Sequence, residues 1–197
     1  MSTAALNRYT PEEYLAIDRL AEFKSEYIDG EIVAMTGGSR PHNIIVWNLS
    51  RFLGNCFEGR PCESYSNDMR VKIKPSTRYV YPDLVAVCGE PSFEDAEVDI
   101  LLNPSLVVEV LSRSTQSYDR GDKSSHYRKI DTLVEYLLIA QDRVSIEQYR
   151  RQGDVWTLTE ITDPGATLVL ESVGCQIPVR EIYARLDVAG QDAVRVE

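Results

Sequence analysis

Apolar and polar residues near the start of the chain follow helical spacing first and strand spacing next. Thr10-Pro11-Glu12-Glu13 predicts a helix start, because threonine caps a helix, proline fits its first position and the glutamates favour the positive end of its dipole. This helix should run to about Leu20. Strand-forming residues 25–28 and 31–35 flank Asp29-Gly30, and a two-residue Asp-Gly loop is the strongest short-range hairpin signal. The chain therefore begins with a short helix and a β-hairpin.

A second helix and a group of short strands are predicted next. After Ser39, with Pro41 just inside, apolar residues recur at helical spacing and predict an amphipathic helix of about four turns that faces a sheet. Its apolar positions are Ile45, Leu49, Phe52, Leu53 and Cys56. Residues 62–66, 69–73 and 79–87 predict an antiparallel meander. The acidic stretch 89–104 indicates a surface excursion, and residues 105–111 a fully buried strand.

The second half of the chain predicts a crossover between parallel strands. Lys123, Tyr127 and Ile130 lie at i, i+4 and i+7 and share one helix face, and residues 133–140 form another apolar strand. Strand, helix and strand make a right-handed βαβ unit. A hairpin from residues 144–149 and 155–161 and a last helix over 178–186 complete the pattern. We expect an α/β fold of the α+β kind, with a mixed sheet flanked by helices, over residues 1–187, and a disordered tail over 188–197.

Composition narrows the class of protein. With 197 residues, 43% of them hydrophobic and 26% charged, the chain fits one globular domain, and no apolar stretch approaches a membrane span. No signal-peptide pattern is visible at the start, so a cytoplasmic location is expected. The four cysteines have no C-x-x-C spacing and the chain has two histidines, so no zinc set is expected. The cysteines are expected to be reduced and mostly buried.

Charge is distributed unevenly along the sequence. The formal net charge of −10 opposes binding to nucleic acid, whose affinity comes largely from lysine and arginine on phosphates. However, residues 113–129 carry five basic and two acidic side chains, whereas residues 90–99 carry five acidic and no basic ones. A site of carboxylates also attracts phosphate once it has bound a metal ion. Net charge therefore does not exclude a nucleic-acid substrate.

Two acidic residues occupy strand positions where a charge is costly. Glu109 interrupts the apolar run of residues 106–111, and Asp83 stands at the mouth of the strand-forming run 84–87. On neighbouring strands, two such carboxylates would form a site for a divalent cation. The alternative for each is an acidic residue paired with lysine or arginine, and the two interpretations are about equally weighted for a single residue.

Lys123 is the third unusual residue, because the helix face that it shares with Tyr127 should pack on the sheet that carries Asp83 and Glu109. A lysine there either meets those carboxylates or extends its ammonium to solvent. Glu26 is a fourth candidate, although a solvated strand residue is the more common case. His42 could act as a base or phosphate donor, but helix-start histidines are more often packing residues.

The sequence contains no phosphate-binding loop, no G-x-S-x-G elbow and no H-E-x-x-H motif. Without a nucleophile motif, hydrolysis by a water activated on a metal ion is the simplest chemistry for these carboxylates.

Several of these residues, taken in order, resemble a known family. The Thr10 helix start, the Glu26 hairpin, Pro82-Asp83, Glu109 in its apolar strand and the later helix with Lys123 match the Uma-type (Uma two) restriction endonucleases of the PD-(D/E)XK nuclease superfamily. The remaining matching positions are Asp119, Tyr127 and Val134-Glu135-Tyr136. The resemblance extends to about Tyr183 and implies a restriction-endonuclease-like core.

The same resemblance implies roles for the candidate residues. Asp83 and Glu109 would hold Mg²⁺, for which Mn²⁺ could substitute, with help from the carbonyl of Val110, and Glu26 would be the upstream acidic member. The lysine of the signature belongs two residues after the glutamate, where this sequence has Leu111, so Lys123 would take its place. His42, Tyr127 and Arg120 are candidates for outer contacts or substrate binding.

The favoured hypothesis is a Mg²⁺-dependent DNA endonuclease. A catalytically weak module that binds nucleic acid or protein is the second hypothesis, and a structural protein whose carboxylates pair with Lys123 or Arg120 is the third. A homodimer is expected, because one basic helix neutralises few phosphates and C₂ is the commonest closed symmetry.

Overall fold

The computed structural model describes residues 8–74, 77–112 and 116–188, and its described strands form three sheets around two main apolar clusters. Two longer helices lie in the first third of the chain, α1 at Pro11–Asp18 and α2 at Arg40–Phe57. Three short ones follow at α3 Gln116–Tyr118, α4 Ser124–Tyr127 and α5 Val179–Ile182, and a π-helical turn at Asp119–Lys123 joins α3 to α4. The predicted crossover helix therefore consists of α3, the π-helical turn and α4.

The strands keep the predicted order for most of the chain. The first six are β1 Ser25–Ile28, β2 Glu31–Ala34, β3 Cys62–Ser66, β4 Arg70–Ile73, β5 Arg78–Val80 and β6 Leu84–Cys88. The others are β7 Ile100–Leu101, β8 Leu106–Leu111, β9 Glu135–Ala140, β10 Ile146–Gln152, β11 Val155–Ile161, β12 Thr167–Leu170 and β13 Cys175–Pro178. The predictions did not include β7, β12 or β13.

The larger sheet has the order β11-β10-β9-β8-β6-β3, and only its β8–β9 pair is parallel. This mixed sheet flanked by helices confirms the predicted fold class, including the parallel crossover. One face packs on the apolar side of α2, where Ile45, Leu49 and Leu53 contact the cluster that contains Val108 and Val110. The opposite face, with Val107 and Leu111, packs against Tyr127 and Leu138. Glu109 points to this second face because strand side chains alternate.

The second main sheet, called the smaller sheet below, has five strands in the order β2-β1-β5-β4-β7, and β12 and β13 form the third sheet. The smaller sheet shows that the antiparallel meander predicted for residues 62–87 is wrong. The predicted strand 79–87 is two strands, because the chain leaves the smaller sheet after β5, passes Tyr81-Pro82-Asp83 and enters the larger sheet at β6. Pro82 has no N–H to donate to a ladder, which suits a crossing between sheets. The predicted surface excursion is partly wrong, since β7 is buried and pairs in parallel with β4.

A buried ionic cluster joins α1 to the smaller sheet beside this crossing. The Asp18 carboxylate accepts hydrogen bonds from Tyr81 Oη at 2.7 Å and from Arg70 Nη2 at 2.5 Å through Oδ2. Its Oδ1 accepts from the backbone N–H of Ser25 at 2.8 Å. Burial raises the pKa of Asp18, but Arg70, Tyr81 and Ser25 outweigh it and hold the pKa below its usual value. Asp18 therefore stays charged and fixes Tyr81, two residues before Asp83.

The expectation of four reduced cysteines is wrong. Cys56 is bonded to Cys175 and Cys62 to Cys88, so none of the four is free. Cys62 and Cys88 are directly opposite each other in the β3–β6 pair, whereas Cys56 lies at the end of α2 next to β13. Both pairings depend on tertiary contacts across 26 and 119 residues, which cysteine spacing does not reveal.

Two further expectations concern membrane-spanning helices and the C-terminal tail. Within the described residues no helix is long and apolar enough to cross a membrane. Val188, the first residue of the predicted tail, is buried in the larger cluster, and the rest of that tail, residues 189–197, lies outside the described residues.

Candidate active site

Strand register brings Asp83 and Glu109 together. In the antiparallel β6–β8 pair Leu84 is opposite Val108, so one step further along the ladder Asp83 stands opposite Glu109. Side chains of directly opposed residues lie on the same side of a sheet, with Cβ atoms about 4.5–5.5 Å apart. The Val110 backbone N–H donates to Asp83 Oδ2 at 2.7 Å and holds the carboxylate at this position. The two acidic residues therefore share one site at the carboxyl end of β8.

Glu109 is deeply buried, with 4% of its surface exposed. Its Oε1 accepts a hydrogen bond from Tyr127 Oη at 2.8 Å and lies 2.8 Å from Lys123 Nζ. Burial raises the pKa of Glu109 well above its usual value, Lys123 lowers it, and the negative charges of Asp83 and Asp119 raise it further. Burial of the carboxylate is therefore the main cause of the raised pKa of Glu109.

Lys123 does not extend to solvent, since only 6% of its surface is exposed. Its ammonium lies 3.2 Å from Glu26 Oε1 in addition to its contact with Glu109. Burial alone would lower the pKa of Lys123, but Glu109, Glu26 and Asp119 raise it well above the usual value. The lysine is therefore charged and points into the site, as the crossover pattern predicts.

The π-helical turn sets the direction of this lysine. Asp119, Lys123 and Tyr127 follow one another at intervals of four residues, and their exposed fractions are 4%, 6% and 0%. π-helical turns have i→i+5 hydrogen bonds and occur frequently at functional sites. Asp119 is an acidic neighbour that the choice of site residues missed, although its four-residue spacing from Lys123 was a visible signal.

Glu26 is buried, with 7% exposed, so the common interpretation of a solvated strand residue is wrong for it. Besides its contact with Lys123, its Oε1 accepts a hydrogen bond from the Tyr81 N–H at 3.1 Å. Glu26 lies on β1 of the smaller sheet, whereas Asp83 and Glu109 belong to the larger one. The site therefore lies where the two sheets meet.

His42 contacts Asp83 from the start of α2. Its Nε2 lies 3.0 Å from Asp83 Oδ1, while Nδ1 is buried and has no hydrogen-bond partner among the described residues. A Cβ on Gly38 would lie 2.6 Å from His42 Nδ1, so glycine is needed for this ring position. His42 thus orients a carboxylate, which the sequence pattern alone did not favour.

Arg120 lies outside this group of contacts. Its Nε is 2.8 Å from Glu147 Oε1, and Nη1 donates to Gln116 Oε1 at 3.0 Å. Tyr118 is a residue that the sequence analysis missed. Its hydroxyl is buried without a partner among the described residues, and burial raises the pKa of this side chain to about 12, with a further increase from Glu26 and a decrease from Lys123.

The donor set suits a hard divalent cation. Glu26 and Glu109 contact Lys123, and burial, followed by the negative charges of Asp83 and Asp119, raises the pKa of Glu109. The described residues contain no cluster of three or more His, Cys, Asp or Glu side chains arranged to hold a metal. Mg²⁺ does not need one, because it is usually bound by one or two carboxylates together with water and substrate phosphates. The pair Asp83 and Glu109 therefore has the chemistry to hold such an ion.

Comparison with known proteins identifies the family. The model of the Uma2 family, described as putative restriction endonuclease, matches residues 11–180. The chain belongs to the Uma2 family. Two relatives from Synechocystis sp., the uncharacterized proteins sll1609 and slr1290, are 40% and 35% identical to this Uma2 chain. The first alignment covers 85% of this chain and 96% of the relative, and the second covers 93% and 96%.

A solved structure shows the same fold. It is the crystal structure of a putative nuclease of the DUF820 group from Anabaena variabilis, with a TM-score of 0.75 and 18% identity. The match covers 89% of this chain and 98% of that one. The restriction-endonuclease-like core expected for a Uma2 protein is therefore confirmed.

Proposed function

We propose that this Uma2 protein is a Mg²⁺-dependent endonuclease that hydrolyses phosphodiester bonds in DNA. The observation that carries the proposal is the buried Lys123 ammonium, which contacts Glu26 and Glu109 beside an Asp83 held opposite Glu109. Membership of a family of putative restriction endonucleases supports the nuclease class.

Asp83 and Glu109 would hold the metal ion, and Mn²⁺ would serve in place of Mg²⁺. When bound, the ion supplies Lewis-acid activation of the phosphodiester and of the attacking water. The protein's own groups do the positioning. Tyr127 donates to Glu109, His42 orients Asp83, and Glu26 holds the Lys123 ammonium at the site. That ammonium can stabilise the negative charge that develops on the phosphoryl oxygens.

The structural hypothesis explains part of this arrangement, because Lys123 is indeed paired with carboxylates. It does not explain why Asp83 and Asp119 also lie close enough to Glu109 to raise its pKa, since an unbalanced buried charge destabilises a fold. The hypothesis of a weak binding module has one specific observation in its favour, the presence of Leu111 at the signature lysine position. Metal binding without turnover would support that module over the nuclease.

Asp83→Asn tests the function. The amide oxygen can still accept the Val110 N–H, so the fold should persist, but the charged metal ligand is lost. Mg²⁺-dependent nicking or linearisation of a supercoiled plasmid should therefore disappear. Asp154→Asn is the matched control, because Asp154 is exposed in the turn between β10 and β11, and its activity should equal that of the wild type. Full activity of Asp83→Asn, or no Mg²⁺ binding in calorimetry, would refute the proposal.

We also propose a homodimer, for the reasons of charge and symmetry given above. The edge strands β2 and β11 are candidate surfaces, since Val33 is 43% exposed, Val155 62% and Leu158 54%. Exposed strand edges tend to be covered or paired. Light scattering at micromolar concentration should give twice the chain mass of 22.3 kDa, and a monomer mass would contradict the dimer.

A further inference from the structure

A cavity of about 660 Å³ opens at the carboxyl ends of the parallel strands β8 and β9. Leu111 and Ala140 form its floor at the ends of these strands, and Leu186 and Val188 add apolar wall from the C-terminal segment. In α/β sheets, ligands bind at the carboxyl ends of parallel strands. The volume lies within the usual range of about 300–1,000 Å³ for small-molecule sites.

The cavity adjoins the candidate active site on two sides. Leu111 follows Glu109 by two residues and therefore projects from the same face of β8. Arg40 and Pro41 line the cavity and immediately precede His42, whose ring contacts Asp83. A ligand in the cavity would thus lie next to a phosphate that a metal ion would hold at Asp83 and Glu109.

Arginines surround the apolar walls. Arg40 is exposed and has no ion-pair partner within the described residues. Arg143 is also exposed, and its contact with Asp142 at 3.2 Å is a surface pair of small energetic value. Arg120 contributes a third guanidinium, and Asp142 and Asp187 are the acidic residues of the lining. Guanidinium groups bind phosphate and stack on planar rings, and apolar walls accept a ring.

We propose that this cavity binds one unpaired nucleotide next to the scissile phosphate, with its backbone phosphate at Arg40 and Arg143 and its base between the apolar walls. The inference rests on the proposed nuclease function, which it deepens by specifying the substrate. A base can enter such a pocket only if it leaves the helical stack, and this is least costly when it is mismatched or single-stranded. The protein therefore prefers single-stranded or locally unpaired DNA to perfect duplex.

Binding in the presence of EDTA tests this separately from cleavage. Anisotropy of a short fluorescein-labelled single strand should show Arg40→Ala and Arg143→Ala each raising the Kd about fivefold or more. Each should also reduce the slope of log Kd against log salt by about 0.7, the value for one lost phosphate contact on a single strand. Arg180→Ala, an exposed arginine outside the cavity lining, should leave the Kd within about twofold of the wild type.

Competition identifies the occupant. dAMP should displace the labelled strand at a concentration about tenfold lower than 2-deoxyribose 5-phosphate or inorganic phosphate, because only dAMP carries a base that can stack in the cavity. Equal competition by all three would reduce the cavity to an anion site and overturn the proposal. Tighter binding of perfect duplex than of single strand, no binding of either, or unchanged affinity in both cavity variants would also overturn it.

Failure of the inference and failure of the proposed function are distinguishable. Loss of plasmid cleavage in Asp83→Asn, combined with unaffected strand binding in Arg40→Ala and Arg143→Ala, refutes the nucleotide cavity alone. Strand binding that depends on both arginines in a protein without Mg²⁺-dependent cleavage refutes the nuclease alone.

Discussion

The orientation of the Asp83 carboxylate depends on two contacts within the site. Both of its oxygens have a contact, Oδ1 with His42 Nε2 and Oδ2 with the Val110 N–H. In metal sites the outer hydrogen-bond partners of a ligand fix its direction, and their loss typically reduces metal affinity about 10–100-fold. His42 therefore matters through Asp83, and Gly38 matters because it leaves space for the imidazole.

His42→Ala should weaken Mn²⁺ binding about 10–100-fold, because Asp83 loses the contact that orients it. His42→Gln should weaken it less, since the glutamine amide can still donate to Asp83. Isothermal titration with Mn²⁺ measures both variants, and thermal unfolding checks that each is folded. An unchanged Kd in His42→Ala would show that Asp83 is held by Val110 alone.

At the scale of elements, the short helical segment after β8 places three side chains in the site. Positions four apart lie on one face of a helix, and the three residues that enter the site have this spacing. Asp119, Lys123 and Tyr127 consequently all face inward. The segment therefore places the Lys123 ammonium beside Glu26 and Glu109.

Lys123→Met should destabilise the fold more at about pH 8 than at about pH 5. The pKa of Glu109 is raised in the folded state, so its protonated form favours folding and this stability is lost as the pH rises through the folded pKa. Without the Lys123 ammonium, the loss of folding stability with rising pH is larger. Urea unfolding at the two pH values measures it, with Lys129→Met, at an exposed position, as the control. A loss that is independent of pH would contradict the assignment of Glu109 as the titrating group.

Sequence patterns located the elements better than their connections. Glu109 could be identified because a charge in an apolar strand is rare, and Lys123 because its helix face must pack on the sheet. The division into two sheets could not be predicted, since an extended Pro82 fits both a continuous strand and a crossing. The π-helical turn has no residue signature comparable to a cap.

At the scale of the whole molecule, two disulfides fasten parts of the chain that are distant in sequence. The Cys56–Cys175 bond joins the end of α2 to β13, and the Cys62–Cys88 bond joins β3 to β6. A disulfide stabilises largely by restricting the unfolded chain, and the effect grows with the length of the closed loop. The first bond closes 119 residues and the second 26.

Replacing both members of a pair with serine should therefore lower the free energy of unfolding by about 2–4 kcal/mol. The Cys56 and Cys175 double variant should lose about 1 kcal/mol more than the Cys62 and Cys88 double variant. Urea unfolding measures the free energy of unfolding of both variants. The wild type in a phosphine reductant lacks both disulfides, so its free energy of unfolding should be lower than that of either variant. The opposite order, or no effect of the reductant, would contradict the entropic account.

The position of the site between two sheets also has a consequence during synthesis of the protein. Glu26 lies on β1, Asp83 immediately precedes β6, and Glu109 lies on β8, whereas Lys123 follows all three in the chain. A nascent or half-docked chain thus lacks the assembled set of charges. The groups that the proposed nuclease requires would therefore come together only when the whole domain has folded, and an incompletely folded chain would have no Mg²⁺-dependent cleavage.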